Sequence, residues 1–187
     1  LYGVKEKEVT KEMRQAAKTI NFSLIYGKTA YGLSKDLQIS VGEADMFIKS
    51  YFEKYPRVLE FMETQKAKAR KDGYLTTILG RRAYFPEINS GNVNVRNFAE
   101  RAAFNAPIQG SAADLIKRAM IHIHRELEKK KCGSLMILQV HDELVFDVPQ
   151  KELKEITDLV REKMEHAIEF KVPLKVDFHV GDSWYKE

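Results

Sequence analysis

Cysteine is almost missing from this chain: Cys132 is the single one in 187 residues. That count excludes a disulfide framework and a cysteine-rich zinc site, and it suits a reducing compartment. Long apolar runs are missing as well. Nowhere do about eighteen successive residues stay apolar, as a membrane-spanning helix would require, so no membrane partner is expected. The opening residues show no basic and apolar secretory leader, and a cytoplasmic location is expected. Internal repeats and low-complexity tracts are absent, which argues against solenoids and disordered linkers.

What is present is ordinary for one substantial core: 44% of the residues are hydrophobic. Charge is uneven along the chain. Residues 1–140 hold 24 Lys and Arg against 15 Asp and Glu, while residues 141–187 hold 7 against 12. The basic part is the expected nucleic-acid face, although charge alone is equally well explained by solvated helix surfaces.

Periodicity places helices ahead of strands. Thr10 suits an N-cap, and Met13, Ala16, Ala17 and Ile20 follow at helical spacing, predicting a helix to about residue 26. Gly27 and Gly32 punctuate a connection. Ser40 with Glu43 three residues on has the form of a capping box, opening a helix that ends near Tyr55. Pro56 is placed to start another, stopped by Asp72-Gly73. Residues 74–79 have strand composition, and Gly80-Arg81-Arg82 turns out of that strand. A helical pattern then fills 93–131, with a break or kink expected at Pro107. A further helix is expected at 151–169, its stripe made by Leu153, Ile156, Leu159, Val160, Met164 and Ile168. Residues 174–180 read as a closing strand. The fold class is α+β, helices packed on a small antiparallel sheet.

Two places carry chemistry. Apolar runs at 135–140 and 144–148 flank His141-Asp142-Glu143, which puts a carboxylate at the apex of a hairpin where a metal could be held. Turns favour Asp for local backbone reasons too. On the first helix Arg14, Lys18, Phe22 and Tyr26 are successive i+4 neighbours. Two cations and two aromatic rings in one row suit a nucleoside triphosphate: Arg as a bidentate fork, Lys as a point charge, the rings as flat surfaces for base and sugar. An ordinary amphipathic helix is the competing reading. Arg101, Asn105 and Gln109 form another i+4 series able to read degenerate minor-groove acceptors, and Arg81 and Arg82 suit DNA phosphates. His122 and His124, two apart, point in different directions on a helix and make a poor metal pair.

The stretch from Arg14 to Gly27 resembles the nucleotide-binding helix of the family A DNA polymerases, and Val140-His141-Asp142-Glu143 resembles their second palm carboxylate motif. Thr77 to Arg82 and Glu100 to Asp114 extend the resemblance from about residue 9 to Trp184, nearest to the bacterial DNA polymerase I type. The family's first palm motif, an Asp-Tyr-Ser-Gln-Ile-Glu-Leu-Arg-like segment, is not in these residues. The resemblance implies partial fingers in residues 1–72 and the C-terminal part of the palm in 73–187. It implies deoxynucleoside triphosphates and primer-template DNA as partners, two Mg²⁺ ions in the complete site, and a missing N-terminal part of the parent polymerase. Arg14 and Lys18 would hold the triphosphate, with Lys18 a candidate proton donor to the leaving group. Phe22 would meet the incoming sugar, and Tyr26 and Tyr31 would guard the template side. Asp142 would bind metal with Glu143 in support, and His141 would approach the primer terminus.

Two residues depart from the common pattern: Ser23 stands where Gly usually follows the phenylalanine, and Gln15 where a second Arg is frequent. The expected activity is that of a DNA-directed DNA polymerase serving replication and repair, with the chain by itself inactive for want of the first carboxylate. Two alternatives stand beside it. A phage-type RNA polymerase shares a related helix and His-Asp motif, although Phe22 and Glu143 favour the DNA enzyme. A non-catalytic nucleic-acid-binding or structural fragment would keep the fold without the chemistry.

Overall fold

Thr10 opens the first helix as its spacing demands: the Thr10 hydroxyl accepts from the Met13 amide at 3.2 Å, and α1 runs Lys11–Ile25. The computed structural model describes residues 4–184. They fall into two compact units, Leu1–Gly110 and Ser111–Glu187.

In the first unit, Ile20 and Leu24 of α1 are buried against Leu33, Ala44 and Tyr51. Leu33 belongs to α2, Ala30–Leu37, a helix where the sequence suggested only a connection. Glycine at position 32 lowers helix propensity by roughly 1 kcal/mol. The Thr29 cap, accepting from the Gly32 amide at 3.3 Å, and the fully buried Leu33 outweigh it. The capping box of Ser40 and Glu43 is formed at the start of α3, Val41–Lys54. Tyr51 on α3 donates its hydroxyl to Asn21 Oδ1 at 2.8 Å, tying α3 to α1. Pro56 opens α4, Pro56–Asp72, which stops at Gly73 with φ of 75°. Glycine takes that left-handed conformation without a Cβ penalty.

The expected strand at 74–79 is shorter. β1 is Tyr74–Thr76, and it pairs antiparallel with β2, Arg82–Tyr84, in the register Thr76↔Arg82. Arg82 therefore begins a strand instead of closing the turn. The reason is Thr77, buried, whose hydroxyl accepts from the Arg81 amide at 3.1 Å while its own amide donates to the Arg81 carbonyl at 2.9 Å. That local closure ends β1 and leaves Ile78 and Leu79 exposed. Beneath the hairpin, Leu75, Phe85 and Ile88 pack with Ala69 of α4 and with Ala99 and Ala103.

Ala99 and Ala103 belong to α5, Val93–Lys130, which carries Pro107 inside it. The expected break is absent: α5 continues through Pro107. Proline removes one i−4 hydrogen bond and crowds a carbonyl, yet the buried run Ala103, Phe104 and Asn105 anchors the preceding turn. Tertiary packing here overrides local preference.

In the second unit, β3 (Leu135–Val140) and β4 (Glu143–Asp147) form the anticipated hairpin, with a register irregularity between Met136 and Leu138. Glu143 is the first residue of β4 and pairs with Val140, so only His141 and Asp142 form the loop. The final helix, α6, is Leu153–Glu165, shorter than 151–169. Its Ile156 and Val160 pack on Ile123 and Leu127, and Ile168 stays buried beyond its end. The strand expected at 174–180 does not form a ladder among the described residues. It has the alternation of a strand, but a strand needs a neighbour's backbone, and here it meets α6 instead. The Val176 amide donates to Glu165 Oε1 at 3.0 Å, and the Arg161 guanidinium lies 4.8 Å from the Phe178 ring centroid.

Glu152 ties the start of the hairpin to the turn before α6. Its carboxylate accepts from the Ser134 hydroxyl at 2.7 Å and from the Gly133 amide at 3.2 Å. These bonds, the Ser134 hydroxyl foremost, hold its carboxyl below the usual value. A depressed folded-state value means stability present above the ordinary carboxylate pKa and lost as pH falls through the folded one. Urea midpoints should therefore differ between the unmodified chain and Glu152→Gln at about pH 7, with the gap closing towards about pH 3. A gap independent of pH would exclude the carboxylate's charge as its cause.

Candidate nucleotide and nucleic-acid site

All four members of the α1 row are exposed: Arg14, Lys18, Phe22 and Tyr26. Phe22 and Tyr26 each expose 47% of their surface, high for aromatic rings on a helix whose other side, at Ile20 and Leu24, is sealed. The Lys18 ammonium stands 6.0 Å from the Phe22 ring centroid. Gln15, Lys18, Thr19, Phe22, Ser23, Tyr26 and Lys28 border a cavity of about 410 Å³. Arg14 is one turn before Lys18 and does not border it. A hollow lined by cations and exposed rings offers a triphosphate charge and a base a stacking surface.

Ser23 does not project into open space. It is buried, and its hydroxyl donates to Asp36 Oδ2 of α2 at 3.3 Å. The added side chain is absorbed by the α1–α2 contact. At the end of α1, Gly27 has φ of 70°, and a Cβ there would lie 2.4 Å from Phe104 Cζ and 2.9 Å from Arg101 Cγ. Arg101 and Phe104 of α5 thus sit directly on the turn that follows the α1 row.

The Arg101, Asn105, Gln109 series is less uniform than its spacing suggested. Gln109 is exposed and Arg101 half-buried, but Asn105 is only 9% exposed, with its Oδ1 lacking a hydrogen-bond partner among the described residues. Arg82 lies with its guanidinium 4.6 Å from the Tyr74 ring centroid and bonds to Tyr84, which raises its pKa. Tyr31 on α2 is exposed, with the Lys35 ammonium 5.4 Å from its ring centroid.

In the second unit, His141, Asp142 and Glu143 are exposed at the hairpin tip. His141 has φ of 51°, and its carbonyl accepts from Gln139 Nε2 at 2.6 Å. A left-handed non-glycine residue is uncommon, histidine being among the better tolerated. Asp142 supplies a hard oxygen donor of the kind Mg²⁺ takes. The chemistry of the donor fits; the number does not, since no three His, Cys, Asp or Glu among the described residues are placed to share an ion. Sequence reasoning missed Asp36 and Lys28, whose spacing of eight matches no helical contact rule because a turn lies between them.

The fold that positions these residues is that of a polymerase domain. The chain superposes with a TM-score of 0.90 on the POL domain of Pol1 from M. smegmatis, solved in complex with DNA primer-template and dNTP. That likeness is 46% identical in sequence and covers 93% of this chain and 31% of that one. A family model of DNA polymerase family A matches residues 1–186, and the chain belongs to that family. It is 49% identical over 185 residues to DNA polymerase I of Bacillus caldotenax and, over the same length, 49% identical to that of Bacillus subtilis. In both cases 99% of this chain is covered but only 21% of the relative, so the chain spans about a fifth of their length. No helix among the described residues is long and apolar enough to cross a membrane.

Proposed function

We propose that the chain forms part of a DNA-directed DNA polymerase that adds deoxynucleotides to a primer 3′ end, in replication and repair. The observation that carries this reading is the exposed Arg14, Lys18, Phe22, Tyr26 row on a helix whose opposite face is buried, at the edge of a cavity bordered by Lys18, Phe22 and Tyr26. In that reading residues 1–72 are partial fingers and 73–187 the C-terminal part of the palm.

Arg14 and Lys18 bind the triphosphate, and Lys18 is placed to give a proton to the departing pyrophosphate. Phe22 lies against the sugar, with Tyr26 and Tyr31 on the template side. Arg81, Arg82 and Arg101 contact DNA, Asn105 and Gln109 follow the minor groove, and His141 approaches the primer terminus. The buried Asn105 Oδ1, which lacks a donor among the described residues, supports a partner supplied from outside the chain. Asp142, with Glu143 in support, would hold one side of a two-Mg²⁺ site. When bound, the ions neutralise charge on the reacting phosphoryl oxygens. One carboxylate cannot hold both ions, which supports an inactive chain by itself. Exposed Leu135 and Ile137 on β3 and the unpaired strand pattern at 174–180 support a fold completed by further polypeptide.

The test is primer extension by a chimera in which residues 1–187 replace the matching segment of the Bacillus subtilis relative. Extension is expected from the chimera and none from the 187-residue chain. A chimera that folds and binds primer-template without extending it would overturn the reading.

A further inference from the structure

Ser23, Asp36 and Lys28 form a cluster to which the polymerase reading gives no role. The Lys28 ammonium pairs with the same carboxylate oxygen that accepts from the Ser23 hydroxyl. Each member sits on a different piece of backbone: Ser23 in the last turn of α1, Lys28 in the connection after it, and Asp36 on α2. Lys28 borders the cavity that Lys18 borders, while Asp36 lines a neighbouring hollow, and Gln15 and Thr19 are common to both. The Asp36 carboxyl is held below its usual value by Lys28 first and by Ser23 last, so it is ionised at neutral pH.

A lysine at the rim of a triphosphate cavity would ordinarily add to the attraction for phosphate. Lys28 is instead compensated by a carboxylate that a buried serine steadies. We propose that Asp36 is a charge-setting and positioning residue of the nucleotide cavity, keeping Lys28 at the rim as a neutralised cation and thereby holding down the ground-state affinity for a nucleoside triphosphate. An enzyme gains rate only from interactions stronger in the transition state than in the ground state, so a cation bonded to the bound substrate throughout would tighten binding without speeding chemistry. The inference rests on the assignment of the α1 cavity to the nucleotide.

The experiment measures, by calorimetry on the 187-residue chain, the binding of dATP with Mg²⁺ and, separately, of inorganic tripolyphosphate. Asp36→Asn leaves Lys28 uncompensated and is expected to tighten both probes about five-fold, as one exposed unit charge would, with a steeper salt dependence. Lys28→Met leaves the Asp36 carboxylate alone and is expected to weaken both about five-fold, and the double variant should return close to the unmodified affinity. A tie that is merely structural would weaken binding in every variant, and that result, or unchanged affinity throughout, overturns the proposal. Circular dichroism checks each variant's fold. If Asp36→Asn does not fold, Lys28→Met and the double variant decide together: the proposal requires the single variant to bind more weakly and the double variant to recover, and a double variant as weak as Lys28→Met overturns it. An unmodified, folded chain that binds neither probe removes the nucleotide assignment and the proposal with it.

Discussion

Asp142→Asn in the chimeric polymerase is expected to slow single-turnover primer extension by roughly a thousand-fold, while primer-template affinity changes little. Asparagine keeps the shape of the side chain and the two-residue loop between Val140 and Glu143, so the hairpin register should survive. What it removes is the negative charge of one oxygen pair. A divalent ion takes an amide oxygen as a much poorer ligand than a carboxylate at the same place, and the loss falls on the chemical step because charge builds on the phosphoryl oxygens there. Rapid-quench kinetics at saturating nucleotide would measure it. A variant that keeps its rate would mean that the hairpin carboxylate lies outside the reacting centre, leaving Asp142 as a turn residue.

Gly27→Ala is expected to cost roughly 3 kcal/mol of stability in the 187-residue chain, read as a fall in urea midpoint. Two penalties combine. A residue with a Cβ pays about 1–2 kcal/mol to hold a left-handed backbone, and φ here is 70°. The Cβ would also fall 2.4 Å from Phe104 Cζ, inside any tolerable contact, and Phe104 is almost fully buried and cannot swing away. Phe104→Leu in the same chain should recover part of the loss by withdrawing the ring tip. If it recovers none, the cause is the backbone conformation together with the Arg101 Cγ contact at 2.9 Å. Nucleotide affinity should fall with the stability, since the turn that Gly27 makes begins one residue after Tyr26.

How far the sequence disclosed this fold depends on whether the deciding contact was local. Thr10, Ser40 with Glu43, Pro56 and Gly73 mark helix ends by chemistry within four residues of themselves, and each acts as its type predicts. The hairpin at His141-Asp142 is local in the same sense. Helix α2 was not visible, because what makes it is the burial of Leu33 against Ile20, Leu24 and Tyr51, contacts that a scan for caps and glycines does not register. The break expected at Pro107 failed for the mirror-image reason: its local rule is sound, but packing on the preceding turn keeps the helix continuous. The site followed the same division. The i+4 row on α1 was legible because one helix carries all of it, and its polymerase meaning came from resemblance and not from spacing. Asp36 and Lys28 were hidden by the intervening turn, and the burial of Asn105 could not be read from a polar i+4 series.

His141 carries a consequence for how this protein can change. Its left-handed backbone, φ of 51°, is a conformation that glycine would hold with less strain. Selection for heat resistance therefore rewards discarding the imidazole at this position, whereas selection for activity rewards keeping it if the ring meets the primer end. The two pressures act on one codon in opposite directions. A lineage improved only for thermal endurance would drift towards glycine at the tip of the hairpin, trading away the imidazole that sits beside the Asp142 carboxylate.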